Sequence, residues 1–225
     1  LALGCTDGDI RVWRGRRLLM TVHDGVHLDH TGPPTWCQRA WAAVLVTAPA
    51  VLCGSSALVA DGLRRSVDVR ADIEVAVEAR RRPTPPPGVR VRRVAGLTER
   101  ARWQLHPPRD RVEEAALDVA AAAADELAAV AVLAEVVTAR LTTASRLRDA
   151  LGRRTRVRRR DVLVAVLDDL AAGACSVLER AYLKDVERAH GLPTGGRQVR
   201  DSARGTVYRD VEYTPYGVLV ELDGR

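Results

Sequence analysis

The spacing of apolar residues changes several times along the chain, and the first change separates residues 1–32 from the later residues. A helix is expected after Thr6, whose hydroxyl can cap it, and Gly15 can end it. Two strands, at 16–22 and 26–28, then flank a His-Asp-Gly turn and predict a hairpin. The first region is therefore expected to be one helix followed by one hairpin.

Residues 33–108 mix helical and strand periods, which predicts a small α/β region. The elements expected are a helix over 35–47, a short helix from Ser55 or Ser56 to near Gly62, and strands over 73–78 and 89–94. A proline-rich stretch, 83–88, connects the two strands. We expect these strands to pair antiparallel around that connection.

Residues 109–172 carry the helical period almost throughout and predict a helical region. The helices expected lie at about 110–122, 125–138, 143–151 and 159–172. Six arginines occur in the eight residues 153–160, between the last two helices. Such a block is usually a solvated linker, and contact with phosphate is the alternative.

Residues 173–225 predict a helix followed by three strands. The helix is expected at about 175–190, before Gly191-Leu192-Pro193, and the strands around 197–200, 206–213 and 217–223. Together the four regions predict an α+β or α/β multidomain protein, with a mixed α/β and helical middle and an α/β domain at the C-terminus.

Composition permits a DNA partner without requiring one, and the codon bias of a GC-rich genome is the simpler explanation of the arginine excess. The formal charge is +6, the isoelectric point is about 9.7, and Lys184 is the only lysine among 35 basic residues. Arginine forks bind phosphate in two-point contacts, and a helix with a basic hairpin is the pattern of a winged-helix remnant. A solvated basic helix beside a hairpin is the other interpretation. The candidate DNA-binding residues are Arg11, Arg14, Arg16, Arg17, Arg153, Arg154 and Arg156.

Other classes of function find less support. No run of 18 apolar residues exists and no signal peptide is seen, so we expect a cytoplasmic protein without a membrane partner. The four cysteines lack zinc-pair spacing and are interpreted as buried thiols, and His23, His27 and His30 as turn or hydrogen-bonding residues. Hydrophobic residues make up 47% of the chain, enough for a real core.

Acidic residues in the last region suggest chemistry. Glu179 lies within the helical stripe of Cys175, Leu178, Tyr182 and Val186, where a carboxylate needs a partner unless it reaches solvent from the edge. Alternation puts Glu221 and Asp223 on one face of the third strand, and Asp210 lies on the strand before. Adjacent carboxylates repel each other, and a hard divalent cation such as Mg²⁺ offsets that repulsion.

The order of these motifs resembles a known family. The segments Ser176-Val177-Leu178-Glu179, Arg197-Gln198-Val199, Tyr208-Arg209-Asp210-Val211 and Val220-Glu221-Leu222-Asp223-Gly224 resemble the Vsr-like (very-short-patch-repair related) domain of the PD-(D/E)xK nuclease superfamily. The resemblance covers about the last 50 residues and implies a restriction-endonuclease-like α/β domain. It implies that Asp210 and Glu221 bind Mg²⁺ or Mn²⁺, that Glu179 is an accessory acid, and that Asp223 and Gln198 support the site.

Two features depart from that family. The third motif has no lysine, which the Vsr-like branch tolerates. The chain also starts at Leu1 and stops at Arg225, before the helix and strand that the family would supply, so both ends are expected to be cut and the nuclease domain incomplete.

A second, looser resemblance covers about residues 1–150. The basic helix and hairpin, the stretch from Gly32 to Ala43 and the turn Gly54-Ser55-Ser56-Ala57 are similar to type IV abortive-infection antitoxins, which are DNA-binding autoregulators. In actinobacterial chains this front half is often joined to a Vsr-like tail. The expected domains are a winged-helix remnant (1–32), a small α/β region (33–108), a helical region (109–172) and a Vsr-like nuclease domain (173–225).

Three functions remain open from the sequence. The leading hypothesis is an endonuclease that hydrolyses phosphodiester bonds with a divalent metal held by Asp210 and Glu221. The first alternative is a DNA-binding transcriptional regulator or antitoxin with a non-cutting C-terminal domain. The second is an interaction scaffold whose acids form a solvated sheet face. Metal dependence separates these three, and the oligomeric state stays undetermined.

Overall fold

The computed structural model describes residues 4–65, 67–68, 71–172, 179, 181–201 and 207–222, with the backbone alone for 198–201 and 207–209. The chain divides into two compact units, Leu1–Ala115 and Ala116–Arg225. Both units mix helices with small sheets, so the protein is a mixed α/β protein as expected. A five-stranded mixed sheet lies in the first unit and a three-stranded antiparallel sheet in the second.

The first unit begins with the predicted helix and hairpin. Helix α1 (Asp7–Gly15) starts at Thr6, which forms a capping box with Asp9: the Asp9 N–H donates to the Thr6 hydroxyl at 3.2 Å, and the Thr6 N–H donates to the Asp9 carboxylate at 2.8 Å. Strands β1 (Met20–His23) and β2 (Val26–Leu28) pair antiparallel. The first strand starts later than predicted, because Arg17 has a left-handed φ of 58° that a strand does not accommodate.

Five short strands form the main sheet of this unit, in the order β5-β4-β3-β7-β6. The elements from residue 36 to residue 110 are α2 (Trp36–Val46), β3 (Val51–Leu52), α3 (Gly54–Ala60), β4 (Ile73–Glu78), β5 (Val89–Val94), α4 (Leu97–Arg100), β6 (Ala101–Arg102) and β7 (Arg109–Asp110). Helices α2 and α3 and strands β4 and β5 confirm the elements that the sequence predicts. The two-residue strands β3, β6 and β7 are not predicted, since two residues show no period.

Strands β4 and β5 pair parallel, so the predicted antiparallel pairing is wrong. The connection between them carries the chain back to the end where β4 began, as a parallel pair requires. Arg81 holds this connection by donating to the carbonyl oxygens of Thr47, Ala48 and Pro49 at 2.7 to 2.8 Å. β4 is a central strand whose Val75, Ala76 and Val77 are all fully buried, and side-chain alternation is the same for both directions of pairing, so the sequence pattern does not reveal the direction.

The core of the first unit includes a cluster around β3 and β4. Its members are Val51, Cys53, Ala76, Val94, Leu97 and Ala101. Cys53 is therefore the buried thiol that the sequence predicts. Cys5 and Cys37 are exposed, which corrects that prediction for them, and Cys175 lies outside the described residues. Cys5 precedes the cap residue of α1, and Cys37 lies in the first turn of α2, so both are at helix ends on the surface.

The predicted helices of 109–172 are confirmed within two residues at each end. They are α5 (Val112–Ala122), α6 (Glu126–Thr138), α7 (Ala144–Gly152) and α8 (Arg160–Ala171). The Asp125 carboxylate caps α6 by accepting from the Ala128 N–H at 2.8 Å, and Thr143 caps α7. Leu147 and Leu163 are among the fully buried residues of these helices. Within the described residues, no helix has both the length and the apolar character needed to cross a bilayer.

The last region forms a helical segment and an antiparallel sheet of three strands in the order β10-β9-β8. Its elements are a π-helix (Tyr182–Arg188), β8 (Gly196–Asp201), β9 (Val207–Tyr213), a 3₁₀ turn (Thr214–Tyr216) and β10 (Val218–Val220). The three predicted strands are thus present, although β10 is shorter than expected. The predicted α-helix is instead a π-helix over these seven residues.

Candidate functional site

The register of the small sheet aligns residues from its three strands. Strands β8 and β9 pair Arg197 with Val211 and then Val199 with Arg209, so Gln198 holds the position facing Asp210. On the other side of β9, Val220 pairs with Val211, so the next residue along, Glu221, reaches the same row. Gln198, Asp210 and Glu221 therefore share one row across the sheet, which we call the acidic row.

Asp210 is the central residue of the acidic row. It is half-buried, and its Oδ2 accepts a hydrogen bond from the Leu222 N–H at 2.8 Å. This contact orients the carboxylate and ties the end of β10 to β9. Glu221 is exposed to solvent, and Asp223 lies outside the described residues. Among the side chains that the structure describes, no group of three or more His, Cys, Asp or Glu is arranged to hold a metal ion.

The opposite face of β9 packs on the helical segment. Val211 and Tyr213 alternate with Asp210 and are buried, and the Tyr213 hydroxyl lies 3.3 Å from that of Tyr182 on the π-helix. Glu179 is buried on this helical segment, and alternation puts Asp210 on the face of β9 opposite Val211 and Tyr213. The structure thus aligns three of the expected site residues in one row and places Glu179 on the helical segment.

The expected helical stripe is only partly correct. Val186, which should share it, is 36% exposed, while Leu183 and Glu187 are buried together with Glu179. The shift follows from the π-helix, whose wider turn moves residues around the axis relative to α-helical spacing. Cys175 and Leu178 lie outside the described residues.

A buried polar cluster on the helix side is not predicted from the sequence. The Glu187 Oε2 accepts from the Arg197 Nη2 at 2.6 Å and from the Tyr213 hydroxyl at 3.3 Å, and the Tyr213 and Tyr182 hydroxyls are 3.3 Å apart. Arg197 and Glu187 side chains are only 3% and 4% exposed. Burial, followed by the hydrogen bond with Tyr182, raises the pKa of Tyr213 well above its ordinary value. We call these four residues the tyrosine cluster.

The tyrosine cluster depends on the π-helix. At 3.6 residues per turn, Tyr182 and Glu187 would point about 140° apart around an α-helix and could not both reach Tyr213. In a π-helix, residues five apart are joined by the repeating hydrogen bond, so they lie one above the other. Sequence reasoning assumes the α-helical period and therefore cannot find the cluster. Its available signal is Glu187, a second acid in a helix that already buries Glu179.

A cavity of about 440 Å³ lies against this cluster. Its walls are Leu192, Pro193, Tyr216, Val218 and Val220, and the tyrosines Tyr182 and Tyr213 also line it. Tyr216 is 67% exposed, and Leu192 and Val218 are exposed as well, so apolar side chains reach the solvent at its mouth. The cavity is therefore an apolar recess that includes three phenol side chains.

The four N-terminal candidate arginines are all exposed. Arg11 and Arg14 lie on α1 and line a cleft of about 500 Å³ between that helix and the hairpin. Thr21 and His27 line the same cleft, and so do the carboxylates of Asp7 and Asp24. The arrangement offers two arginines to an anion, with acidic side chains nearby that limit how deep a phosphate can enter.

The arginine block at 153–160 does not behave as one solvated linker. Arg154 is mostly buried and pairs with Asp118 at 2.7 Å, so its assignment to DNA binding does not fit its surroundings. Arg159 donates to the carbonyl oxygens of Ala123 and Ala124 at 2.6 and 2.9 Å. Arg160 donates to the carbonyl oxygens of Arg154 and Leu151. Arg153, Arg156 and Arg158 are exposed and keep the predicted surface character.

The histidines near the hairpin make the hydrogen bonds expected of them. The His27 Nδ1 lies 3.0 Å from the Thr21 hydroxyl, and the His30 Nε2 lies 2.8 Å from the Gln38 amide nitrogen. Burial lowers the pKa of His23. These contacts fit the hydrogen-bonding role that the sequence predicts for His27 and His30.

Comparison with known proteins adds no relative. No protein-family model, no curated protein and no solved structure matches this chain.

Proposed function

We propose that this chain is a DNA endonuclease that hydrolyses phosphodiester bonds with a divalent metal, Mg²⁺ or Mn²⁺, held by Asp210 and Glu221. The observation that carries the proposal is the acidic row, in which the strand register aligns Gln198, Asp210 and Glu221. These residues come from three separate motifs, and sequence order alone would not require them to share a row.

The order of elements supports the same proposal. A helical segment followed by three antiparallel strands agrees with the first half of a restriction-endonuclease-like domain, the fold implied by the Vsr-like resemblance. Helix α1 with its hairpin agrees with a winged-helix remnant at the N-terminus. We assign residues 173–225 to the first fold and residues 1–32 to the second.

The donor set suits a hard cation. Carboxylate oxygens are the ligands that Mg²⁺ prefers; the Leu222 N–H donates to Oδ2 of Asp210, and we assign its Oδ1 to the metal. Glu221 is exposed and can turn toward the same ion. When bound, the metal supplies a water of lowered pKa and stabilises charge on the phosphodiester. In this proposal Gln198 and Asp223 support these ligands, and Glu179 is an accessory acid from the helical segment.

Arginines supply the contact with DNA. Arg11, Arg14, Arg16 and Arg17 are exposed around α1, and Arg153 and Arg156 are exposed before α8. Contacts of arginine with phosphate give affinity that depends on salt and little sequence selectivity. Substrate binding and cleavage therefore belong to different parts of the chain.

Plasmid nicking tests the nuclease proposal. The protein is incubated with supercoiled plasmid, with and without Mg²⁺ or Mn²⁺, and compared with Asp210→Asn and Glu221→Gln. The matched control is Asp185→Asn, an exposed acid of the π-helix outside the acidic row. We expect metal-dependent nicking that both site variants lose by at least about a hundredfold and the control keeps. Equal cutting by Asp210→Asn would refute the site.

A DNA-binding regulator is the second candidate, and the exposure of all four arginines around α1 favours it. A regulator of this kind binds DNA in the presence of EDTA and cuts nothing. Removing Arg11 and Arg14 would then weaken binding and reduce its salt dependence, while Arg93→Ala, an exposed arginine of β5, would not. Tight metal-independent binding without nicking would replace the nuclease proposal with this one.

A further inference from the structure

The cavity beside the tyrosine cluster has the form of a ligand site. Its volume of about 440 Å³ falls in the range of small-molecule pockets, about 300 to 1,000 Å³. Apolar walls surround a small number of polar groups, which is the usual composition of such pockets. The cavity lies on the helix side of the sheet, so it is separate from the acidic row.

The hydroxyl groups of the cluster have a defined order of donors. The Glu187 carboxylate, paired with the buried Arg197, only accepts hydrogen bonds, so the Tyr213 hydroxyl donates to it. The Tyr213 oxygen can then accept the proton of the Tyr182 hydroxyl. This order commits the Tyr182 proton and leaves its oxygen with acceptor capacity. The cluster therefore presents an acceptor, not a donor, to a molecule in the cavity.

The helical geometry that builds this arrangement is itself uncommon. π-Helices are rare, and those that do occur often lie at functional sites. Here the π-helix brings Tyr182 and Glu187 to the same tyrosine. A seven-residue π-helix that served only to bury an ion pair would reduce folding stability, because an α-helix could bury apolar side chains at the same place.

We infer that this cavity binds a flat heteroaromatic ring that carries an N–H donor, of the kind found in a nucleobase with an exocyclic amine. The ring packs against Tyr216 and the apolar walls, and its N–H donates to the Tyr182 oxygen. Aromatic side chains stack on the rings of nucleobases whatever the identity of the base. This binding does not depend on either proposed function, because the cavity lies on the helix side of the sheet and the acidic row on the other.

Two sources can supply such a ring. One is a free nucleoside or nucleotide, and the other is an unpaired base of a DNA strand. The chemistry is the same in both, and the cavity is open to solvent at Tyr216, so either could reach it. Competition distinguishes them.

The test compares two ligands that share the purine ring and differ at the exocyclic amine, where two methyl groups replace the N–H donors. Adenosine and N6,N6-dimethyladenosine share the ring, but the second has no N–H on the base. Binding to the full chain is measured by calorimetry or by NMR titration. We expect the wild-type protein to bind adenosine about fivefold more tightly, the effect of one neutral hydrogen bond. In Tyr182→Phe this preference should disappear, while the affinity for the dimethyl ligand stays the same.

Two further variants test the walls. Tyr216→Ala removes the exposed ring and should weaken both ligands by about tenfold. Leu219→Ala is the control, because Leu219 is exposed on the same strand but alternates to the opposite face from Val218 and Val220. It should leave both affinities unchanged.

Clear results would overturn the inference. These are the absence of saturable adenosine binding, equal affinity of the wild-type protein for the two ligands, or a preference that survives Tyr182→Phe. The ligand comparison needs no variant, so it holds even if a substitution disturbs folding. Displacement of adenosine by single-stranded oligodeoxyadenylate identifies a DNA base as the ring, and its failure identifies a free nucleoside.

Discussion

Acidic side chains lie on both sides of the three-stranded sheet, and their surroundings differ in kind. Glu187, on the helix side, is buried and paired with a buried arginine and a tyrosine hydroxyl. Asp210, on the other side, has a backbone N–H on one oxygen, and Glu221 in the same row is exposed. A buried, paired acid is committed to the fold, whereas a hydrated one remains able to bind a cation. Substitutions on the two sides should therefore differ in their effects on stability and on metal binding.

Arg197→Ala should give the largest loss of stability. It leaves the Glu187 carboxylate buried without its partner, which typically costs about 3 to 5 kcal/mol. The measurement is the free energy of unfolding by urea denaturation. The control is Arg148→Ala, which removes a half-exposed pair with Asp168 and should cost about 1 kcal/mol or less. Equal losses for the two variants would contradict the assignment of Glu187 to the fold.

Gly195→Ala should have an intermediate effect. A Cβ at this position would approach the Val211 side chain to 2.5 Å and the Tyr213 ring to 3.2 Å, both on the buried face of β9. Overpacking of this type costs about 1 to 3 kcal/mol. Gly152→Ala is the control, since a Cβ there meets nothing within 4 Å, and it should be neutral or stabilising. Thermal denaturation compares the two, and a stable Gly195→Ala protein would show that the helix side is loosely packed.

Stability should fall at alkaline pH through the tyrosine cluster. The pKa of Tyr213 is raised in the folded state, so its contribution is fully present below the ordinary tyrosine pKa of 10.0. Above that pH the unfolded chain loses the proton while the folded protein keeps it, and stability declines as pH rises. Urea denaturation between about pH 9 and pH 11 measures the slope. Tyr213→Phe should reduce that slope, and an unchanged slope would assign it to other groups.

Glu221→Gln should change stability least, by less than about 0.5 kcal/mol, because the side chain is exposed. Its effect should appear only with metal. Mg²⁺ at ten times its dissociation constant is expected to stabilise the wild-type protein by about 1.4 kcal/mol. The variant should lose most of this increment, as measured by the shift of Tm on adding Mg²⁺. An Mg²⁺ shift equal in both proteins would remove Glu221 from the metal site.

Local signals of the sequence predict much of the fold. Thr6 is expected as a helix cap because its short hydroxyl side chain precedes the apolar period, and it accepts a hydrogen bond from the Asp9 N–H. The strand bounds at 73–78 and 89–94 follow from alternation. The direction of their pairing does not, since alternation is the same in parallel and antiparallel strands and the partner is chosen by tertiary packing.

The candidate site is harder to predict for a related reason. The sequence indicates Gln198, Asp210 and Glu221 as a set of motifs, but their register depends on where β8 and β10 pair with β9. The tyrosine cluster has no such signal, because it needs a helix of unusual period and an arginine ten residues from its partner Glu187. Composition is also misleading. It groups Arg154 with the surface arginines, whereas the Arg154 side chain is mostly buried and forms an ion pair with Asp118, 36 residues earlier in the chain.

The arginine clamps on main-chain carbonyls bear on how the chain could be re-engineered. Arg81 spans three consecutive carbonyl oxygens and Arg159 spans two, in each case with both arms of a planar fork. A lysine keeps the charge but offers donors from a single point. A lysine-enriched version of this protein, made for solubility or for amine labelling, would therefore retain its net charge and still loosen at these two positions. Exchange at the exposed Arg93 would be harmless.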